Sequence, residues 1–484
     1  MTINGPSRKA SAAIAGHPLV RNAAALAVAR GVTLVSGLVV SAWLGRKLGP
    51  ADYGIIGFAT AVVAYFGLIV AIGLETVGAR DVARHEGRVR VMASHIASLR
   101  LALAVAAFCG LAIFVAVIDR PALVKLVIVI TGLSLFSAAL NLDFIFQGRA
   151  RMGVIAGREI FVSLLAMGAV LLAIRSSADV VWAALILVAA PLLGSAMMAA
   201  RCYALYRAPV PRFDGNLWRL LVVSALPIAA AGILVTIYRH TDMVLLGFLR
   251  PAADVGQYAA ALKFFTTGLA PVMILLMAFT PSLARARGNA GDLARVTSTF
   301  SAATAAVMVP IAAVGLGFAQ ELVTFLFGAA YAPAASAARL LMVGALFAAG
   351  NICFGHPLML WNLQRKVIMP LLAAALLNFG LNLALIPRFG PQGAAAAVLA
   401  TEAAMALWLA RLQIVNGGRI ALAAIAGHIV VAAIAVVLAR YLAPPLTGAL
   451  ALPPLLALLS GPTIFVILYA SFVGPYWWRR LASA

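Results

Sequence analysis

The stretch from Tyr238 to Phe264, YRHTDMVLLGFLRPAADVGQYAAALKF, sets ionisable residues inside segments that otherwise read as membrane-spanning. Arg239, His240 and Asp242 fall within one apolar run and Lys263 within the next, with the turn LRPAADVG between them. A charged side chain is costly at the middle of a bilayer, so one that sits in a spanning segment usually faces a bundle interior or a wet cavity. The stretch therefore predicts a helical membrane bundle and, within it, a polar place where function resides.

The rest of the chain agrees with the bundle. Of 484 residues, 64% are hydrophobic and 10% charged, with a mean hydropathy of +1.06. That leaves too little polar surface to cover a soluble globule of this size, so the class is a polytopic all-α membrane protein. A helix needs roughly 20 apolar residues to cross the hydrocarbon core. Runs of that kind lie near 22–44, 54–74, 95–118, 122–143, 156–174, 180–202, 220–247, 256–280, 297–318, 333–355, 367–387, 392–414, 420–440 and 448–473, which makes fourteen. The first is too long for a signal-peptide core and lacks a small-residue cleavage site before LGRKLGP, so it reads as an uncleaved span behind a cytoplasmic lead, residues 1–20. Cys109, Cys202 and Cys353 are far apart and suggest neither a disulfide framework nor a metal site.

Thirty-six Lys and Arg against 14 Asp and Glu give a net charge of +22. No basic stretch is interleaved with base-stacking aromatics, so nucleic acid is not the expected partner. With the amino terminus inside, 24 basic residues fall on the inner side, eight on the outer side and four within spans. Cytoplasmic segments collect Lys and Arg, so this asymmetry of three to one puts both termini in the cytoplasm.

An internal repeat can be counted. Leu44, Gly45, Ala51, Asp52, Gly54 and Ala59 match Leu246, Gly247, Ala253, Asp254, Gly256 and Ala261 at one offset of 202, so six of sixteen positions are identical. Both copies join an odd-numbered span to the next on the outer face. An even offset in span number predicts two six-helix bundles of the same orientation, related by a pseudo-two-fold axis along the membrane normal. The expected divisions are a lead at 1–20, bundles at 21–203 and 220–416 joined by a cytoplasmic linker at 204–219, and two further helices with a cytoplasmic tail at 417–484.

Four patterns in order, WLGRKLGPADYG, YRHTDMVLLG with DVGQYAAALKF, FGAAYAPAASAARLL and NFGLNLALIPRFGPQGAAAAVLATE, resemble those of the bacterial polysaccharide transporters, the Wzx-type flippases for O-antigen and exopolysaccharide. These belong to the multidrug/oligosaccharidyl-lipid/polysaccharide exporter superfamily. The resemblance runs from about Arg21 to Arg419. It implies two bundles around a central cavity in the bacterial inner membrane, and movement of an undecaprenyl-diphosphate-linked oligosaccharide across it. The partners it implies are that lipid-linked oligosaccharide, membrane lipids and other polysaccharide assembly proteins.

A diphosphate head at mid-membrane calls for fixed cations, because low dielectric strengthens charge pairing. At the helical rise, Arg239 lies about 16 Å and Lys263 about 13 Å from the outer turn, and Arg30 about 22 Å from the outer end of the first span. These three are the candidate substrate-binding residues. Arg239 has a second reading, an i, i+3 ion pair with Asp242 that neutralises both. For Arg30 and Lys263 the second reading is snorkelling toward headgroups. Glu402, twelve residues after Gly390, is a candidate for coupling to a proton or sodium gradient, or else a buried structural carboxyl. Glu75 and Asp143 sit near cytoplasmic span ends with Arg80 and Arg149 at hand, and with Asp242 and Glu402 they complete the coupling and gating candidates. No cofactor beyond a coupling ion, no metal and no catalytic residue is expected.

Two other classes stand beside the flippase. A multidrug exporter of the same superfamily would have a less cationic cavity. A membrane glycan polymerase or ligase would need an outer catalytic loop, and the longest outer connection, about 319–332, offers Glu321 and Tyr331 without an acid–base constellation.

Overall fold

In the computed structural model, residues 18–449 and 453–482 are described, so the expected cytoplasmic lead lies outside them up to residue 17. Sixteen α-helices occur among the described residues: α1 (Pro18–Ala71), α2 (Leu74–Arg84), α3 (Val89–Val117), α4 (Ala122–Gly132), α5 (Ser134–Ala139), α6 (Asp143–Gly148), α7 (Met152–Ala173), α8 (Val180–Tyr206), α9 (Gly215–Leu249), α10 (Ala252–Arg285), α11 (Ala290–Gly317), α12 (Ala319–Phe327), α13 (Ala334–Leu360), α14 (Gln364–Val415), α15 (Leu422–Ala449) and α16 (Pro454–Ala482).

The described residues of the fourteen expected runs fall largely on helices. Among the described residues, eleven helical stretches are long and apolar enough to cross a membrane. Two of them, Ala25–Arg84 and Gln364–Val415, each hold two expected spans, and the last expected span lies on the shorter apolar helix Ala457–Val473. The paired spans are separated by a glycine rather than by a loop. Gly49 (φ 76°) breaks α1 and Gly390 (φ 54°) breaks α14. Each is followed by a proline, Pro50 and Pro391. Left-handed backbone is open to glycine at no steric cost, and proline removes the next donor, so the helical ladder stops within a residue.

The chain divides into two compact units, Met1–Lys47 with Ala59–Thr236, and Leu48–Phe58 with Ile237–Ala484. The boundary falls inside α9, whereas the expected one lies in the linker at 204–219. The reason is local. The linker is tied to α3, where Ser94 Oγ and Ser98 Oγ accept the amides of Val210 and Arg212, both at 3.0 Å. The first half of α9 then buries Leu221 and Ala225 in the core formed by α2, α3 and α6, among Val77, Ile96, Phe144 and Phe146.

In the first unit the fourth expected span is interrupted. It forms α4, α5 and α6, with Asn141 and Leu142 outside any helix. Irregular backbone at membrane depth is tolerated where it is buried in protein and its polar groups are met. Here the Asn141 carbonyl accepts Arg100 Nη1 at 3.0 Å, and its side-chain oxygen accepts the Asp143 amide at 2.9 Å.

In the second unit the segment 48–58 lies against the start of α10. A Cβ on Gly54 would run into the Ala252 carbonyl oxygen and stand 2.7 Å from Gly256 N, and one on Gly256 would run into the Pro50 carbonyl group. Under the repeat offset Gly54 corresponds to Gly256 and Pro50 to Ala252, so each copy presents its glycine to the other's backbone. Phe58 meets Phe248 edge-on at 5.2 Å, and Tyr53 packs on Phe327 and Tyr331. The two terminal helices join this unit through Ala432, Ala435, Ala439, Phe465 and Tyr469, packed with Ala305, Val309 and Phe318. His428 Nδ1 and the Tyr469 hydroxyl, 2.8 Å apart, link α15 to α16, and Arg440 reaches Glu321 at 2.5 Å.

The repeat recurs where the sequence does not display it. After α6, the amides of Arg149, Ala150 and Arg151 bond to the carbonyls of Ile145, Gln147 and Phe146. After α13, the amides of Trp361, Asn362 and Leu363 bond to Pro357, Met359 and Leu358 in the same pattern, and Ala150 and Asn362 both have positive φ. The linker contact recurs as well, since Thr297 Oγ1 and Ser301 Oγ accept the amides of Arg419 and Ala421 at 2.8 and 2.9 Å. These are equivalent turns of two six-span repeats, carried by backbone geometry with almost no shared side chains.

Candidate functional site

The second unit brings three of the predicted residues together. Asp242 on α9 is 3% exposed. One of its carboxylate oxygens accepts the hydroxyl of the fully buried Tyr258 on α10, and the other accepts the amide of Met243 at 2.7 Å. The i, i+3 pair with Arg239, the second reading of that arginine, is not formed. Asp242 turns toward α10 because burial leaves a carboxylate in need of donors, and a buried phenol in the next helix supplies one.

Glu402 on α14 is 7% exposed and accepts Asn351 Nδ2 of α13 at 2.6 Å, while the same amide donates to the Glu402 carbonyl at 3.1 Å. Between the two carboxylates stands Tyr238, whose hydroxyl is buried and faces Glu402 without completing a hydrogen bond. Both Asp242 and Glu402 act on it electrostatically. Arg239 is exposed, its charge reaches Glu402 and Tyr238, and among the described residues it makes no ion pair. An arginine in a span, beside a buried carboxylate yet unpaired with it, is open to an anion from outside the protein. Lys263 on α10 is half-buried and does not join this group.

The first unit holds the other candidates, with partners that differ from those expected. Glu75 pairs with Arg100 at 3.0 Å, and the expected neighbour Arg80 is exposed on α2. Asp143 pairs with Arg158 at 2.6 Å rather than with Arg149. The cause is three-dimensional: Arg100 and Arg158 are largely buried on α3 and α7, and helix packing brings them against these carboxylates, whereas Arg80 points to the exposed face of α2. Arg30 on α1 meets Glu159 on α7 at 3.6 Å, and one turn further along Thr33 and Ser163 hydrogen-bond at 2.9 Å.

Several residues of these groups escaped the sequence reading: Tyr238, Tyr258 and Asn351 in the second unit, and Arg100, Arg158 and Glu159 in the first. A signal existed for the uncharged ones, since a polar side chain inside an apolar run needs a partner just as a charge does. Asn378 and Asn382, buried one turn apart on α14 and bonded to each other, carry the same signal. Tyr258→Phe is expected to destabilise the protein by about 1–3 kcal/mol, because it strands an oxygen of the buried Asp242. A lower melting temperature of the purified protein checks this, and unchanged melting would show that the hydroxyl does not hold Asp242.

The chain matches the family described as polysaccharide biosynthesis protein over residues 19–287, more than half its length. No curated protein sequence matches it. Among solved structures it is similar to a lipid II flippase, MurJ, in an inward closed conformation, with a TM-score of 0.72 and 14% identity over 93% of this chain and 99% of that one. It is also similar to an inward-facing multidrug resistance MATE family transporter of the MOP superfamily, with a TM-score of 0.64 and 16% identity over 81% of this chain and 98% of the other. At these identities the likeness is one of fold.

Proposed function

We propose a function from one premise, that the chain belongs to the polysaccharide biosynthesis protein family. Its fold is that of the flippases and exporters of the MOP superfamily. On our reading it is a flippase that carries an undecaprenyl-diphosphate-linked oligosaccharide repeat unit from the cytoplasmic to the outer leaflet of a bacterial inner membrane, by alternating access and without covalent chemistry. The greasy tail can remain in lipid, and the protein's task is to shelter the charged, sugar-bearing head.

The observation that carries this reading is Arg239, an exposed, unpaired guanidinium within a span, whose planar fork suits phosphate oxygens. Arg30 is its counterpart in the first unit, also exposed within a span. Glu402 supports a coupling role, since it is a buried carboxyl met only by neutral groups, the Asn351 amide and the facing Tyr238 hydroxyl, and lies within electrostatic reach of Arg239. A membrane potential negative inside favours outward movement of net negative charge by about 2.3 kcal/mol per charge per 100 mV.

The test is to reconstitute the full chain in vesicles and follow a polyprenyl-diphosphate-linked oligosaccharide between leaflets. Acceleration over protein-free vesicles supports the flippase, and its absence removes it. A parallel arm with a lipophilic cationic drug tests the exporter reading. Glu402→Gln should keep transport down a substrate gradient while losing its response to an imposed proton or sodium gradient; an unchanged response makes Glu402 structural.

A further inference from the structure

Three arginine–carboxylate pairs of the first unit, Arg158–Asp143, Arg100–Glu75 and Arg30–Glu159, can be compared, and the last is built differently. Arg158–Asp143 and Arg100–Glu75 are short, at 2.6 and 3.0 Å, and their guanidinium side chains are 16% and 2% exposed. Arg30–Glu159 is a single contact of 3.6 Å, with the arginine side chain 66% exposed and the glutamate 15%. The second Glu159 carboxylate oxygen is buried and has no hydrogen-bond partner.

Helical geometry says which way this pair opens. On α1 the exposed Val28, Val35 and Val39 form one apolar stripe, and at about 100° per residue Arg30 lies about 200° round from Val28. On α7 the exposed Phe161, Leu164 and Leu172 form another, with Glu159 about 200° from Phe161. Both side chains stand on the faces opposite the apolar stripes, so Arg30 is exposed away from the stripes that suit lipid tails. The Thr33–Ser163 hydrogen bond fixes the register of the two helices while leaving the pair one turn away loose.

We propose that Glu159 is a displaceable counter-ion that holds Arg30 until a diphosphate takes it, which makes Glu159 a positioning residue for the anionic head of the substrate. The proposal rests on the flippase reading above. A guanidinium held at one point by a carboxylate gains by exchanging it for a diphosphate, whose oxygens can accept two parallel hydrogen bonds and carry more charge. The same competition favours release, since Glu159 is at hand to reclaim Arg30. It also sets a threshold, as an anion that pairs with arginine no better than a carboxylate does cannot displace it.

The test is titration of the full-length protein in phosphatidylcholine nanodiscs with farnesyl diphosphate, alongside neutral farnesol and inorganic diphosphate. Glu159→Gln should tighten farnesyl diphosphate about threefold, the scale of a partly exposed ion pair, and leave farnesol unchanged. Glu159→Asp, which keeps the charge, should return the wild-type affinity and so separates a charge effect from misfolding. Arg30→Gln should weaken binding about tenfold, and adding Glu159→Gln to it should change nothing more. Unchanged or weaker binding in Glu159→Gln, or tightening that persists without Arg30, overturns the proposal. Inorganic diphosphate should follow the same order of variants at lower affinity, and equal affinity for it would assign the site to a free anion instead. Wild-type protein that shows no saturable binding of farnesyl diphosphate defeats the diphosphate reading itself, an outcome distinct from wild-type binding with an inert Glu159→Gln.

Discussion

Gly256→Ala should abolish most transport and lower the melting temperature of the purified protein. The added methyl would run into the Pro50 carbonyl, whose carbon would stand 2.7 Å away, and backbone cannot swing aside as the end of a flexible side chain can. Overpacking of this kind costs about 1–3 kcal/mol where the neighbours can shift. Here they are held by Phe58 against Phe248 and by Tyr53 against Phe327 and Tyr331, so the upper end is expected. Gly54→Ala should behave alike, since its methyl meets Ala252 and Gly256 in the reciprocal arrangement. Gly57→Ala is the internal control. It lies on the same segment, and its Cβ would find Ala259 Cβ at an ordinary 3.5 Å. If all three alanines are equally harmless, the glycines are turn residues and the close contact carries no weight.

Arg239→Ala should reduce transport of a diphosphate-linked substrate by about 100-fold, and Arg239→Lys by about tenfold, on the scale of one or two charge-assisted hydrogen bonds. Lysine keeps the charge and loses the fork. Because Asp242 is bonded to Tyr258 and to the Met243 amide, deleting Arg239 removes no partner from it. Melting of Arg239→Ala should therefore stay close to wild type, which separates lost function from lost folding. For the same reason Asp242→Ala should not rescue Arg239→Ala. Restored transport in that double variant would show that Arg239 serves to neutralise Asp242 and touches no phosphate.

What could be read without coordinates followed from composition and period. A run of some twenty apolar residues has to be a helix across the membrane, because backbone polar groups in hydrocarbon must be met within the segment, and the described residues of the fourteen runs are largely helical, the fourth being interrupted at Asn141 and Leu142. The repeat was legible only at 44–59 and 246–261, where glycine and a tight turn tie geometry to residue identity. At the turns around Ala150 and Asn362 many sequences satisfy the same hydrogen bonds, so the equivalence left no trace in the letters. That Arg239, Asp242 and Glu402 sit within spans was likewise apparent from the chain alone, since an intramembrane charge is conspicuous against an apolar background.

Tertiary structure alone decided the partners. Sequence proximity paired Arg239 with Asp242, Glu75 with Arg80 and Asp143 with Arg149, yet Asp242 binds Tyr258, Glu75 binds Arg100 and Asp143 binds Arg158. A buried carboxylate is satisfied by whichever donor the packing of another helix brings within about 3 Å, and nothing in the spacing along one helix encodes the face its neighbour presents. Sequence thus determined which residues needed a partner, because that need is a property of each charge and its burial. Which residue met it was decided by helix packing, because hydrogen bonds and ion pairs act over a few ångströms of space whatever the distance along the chain.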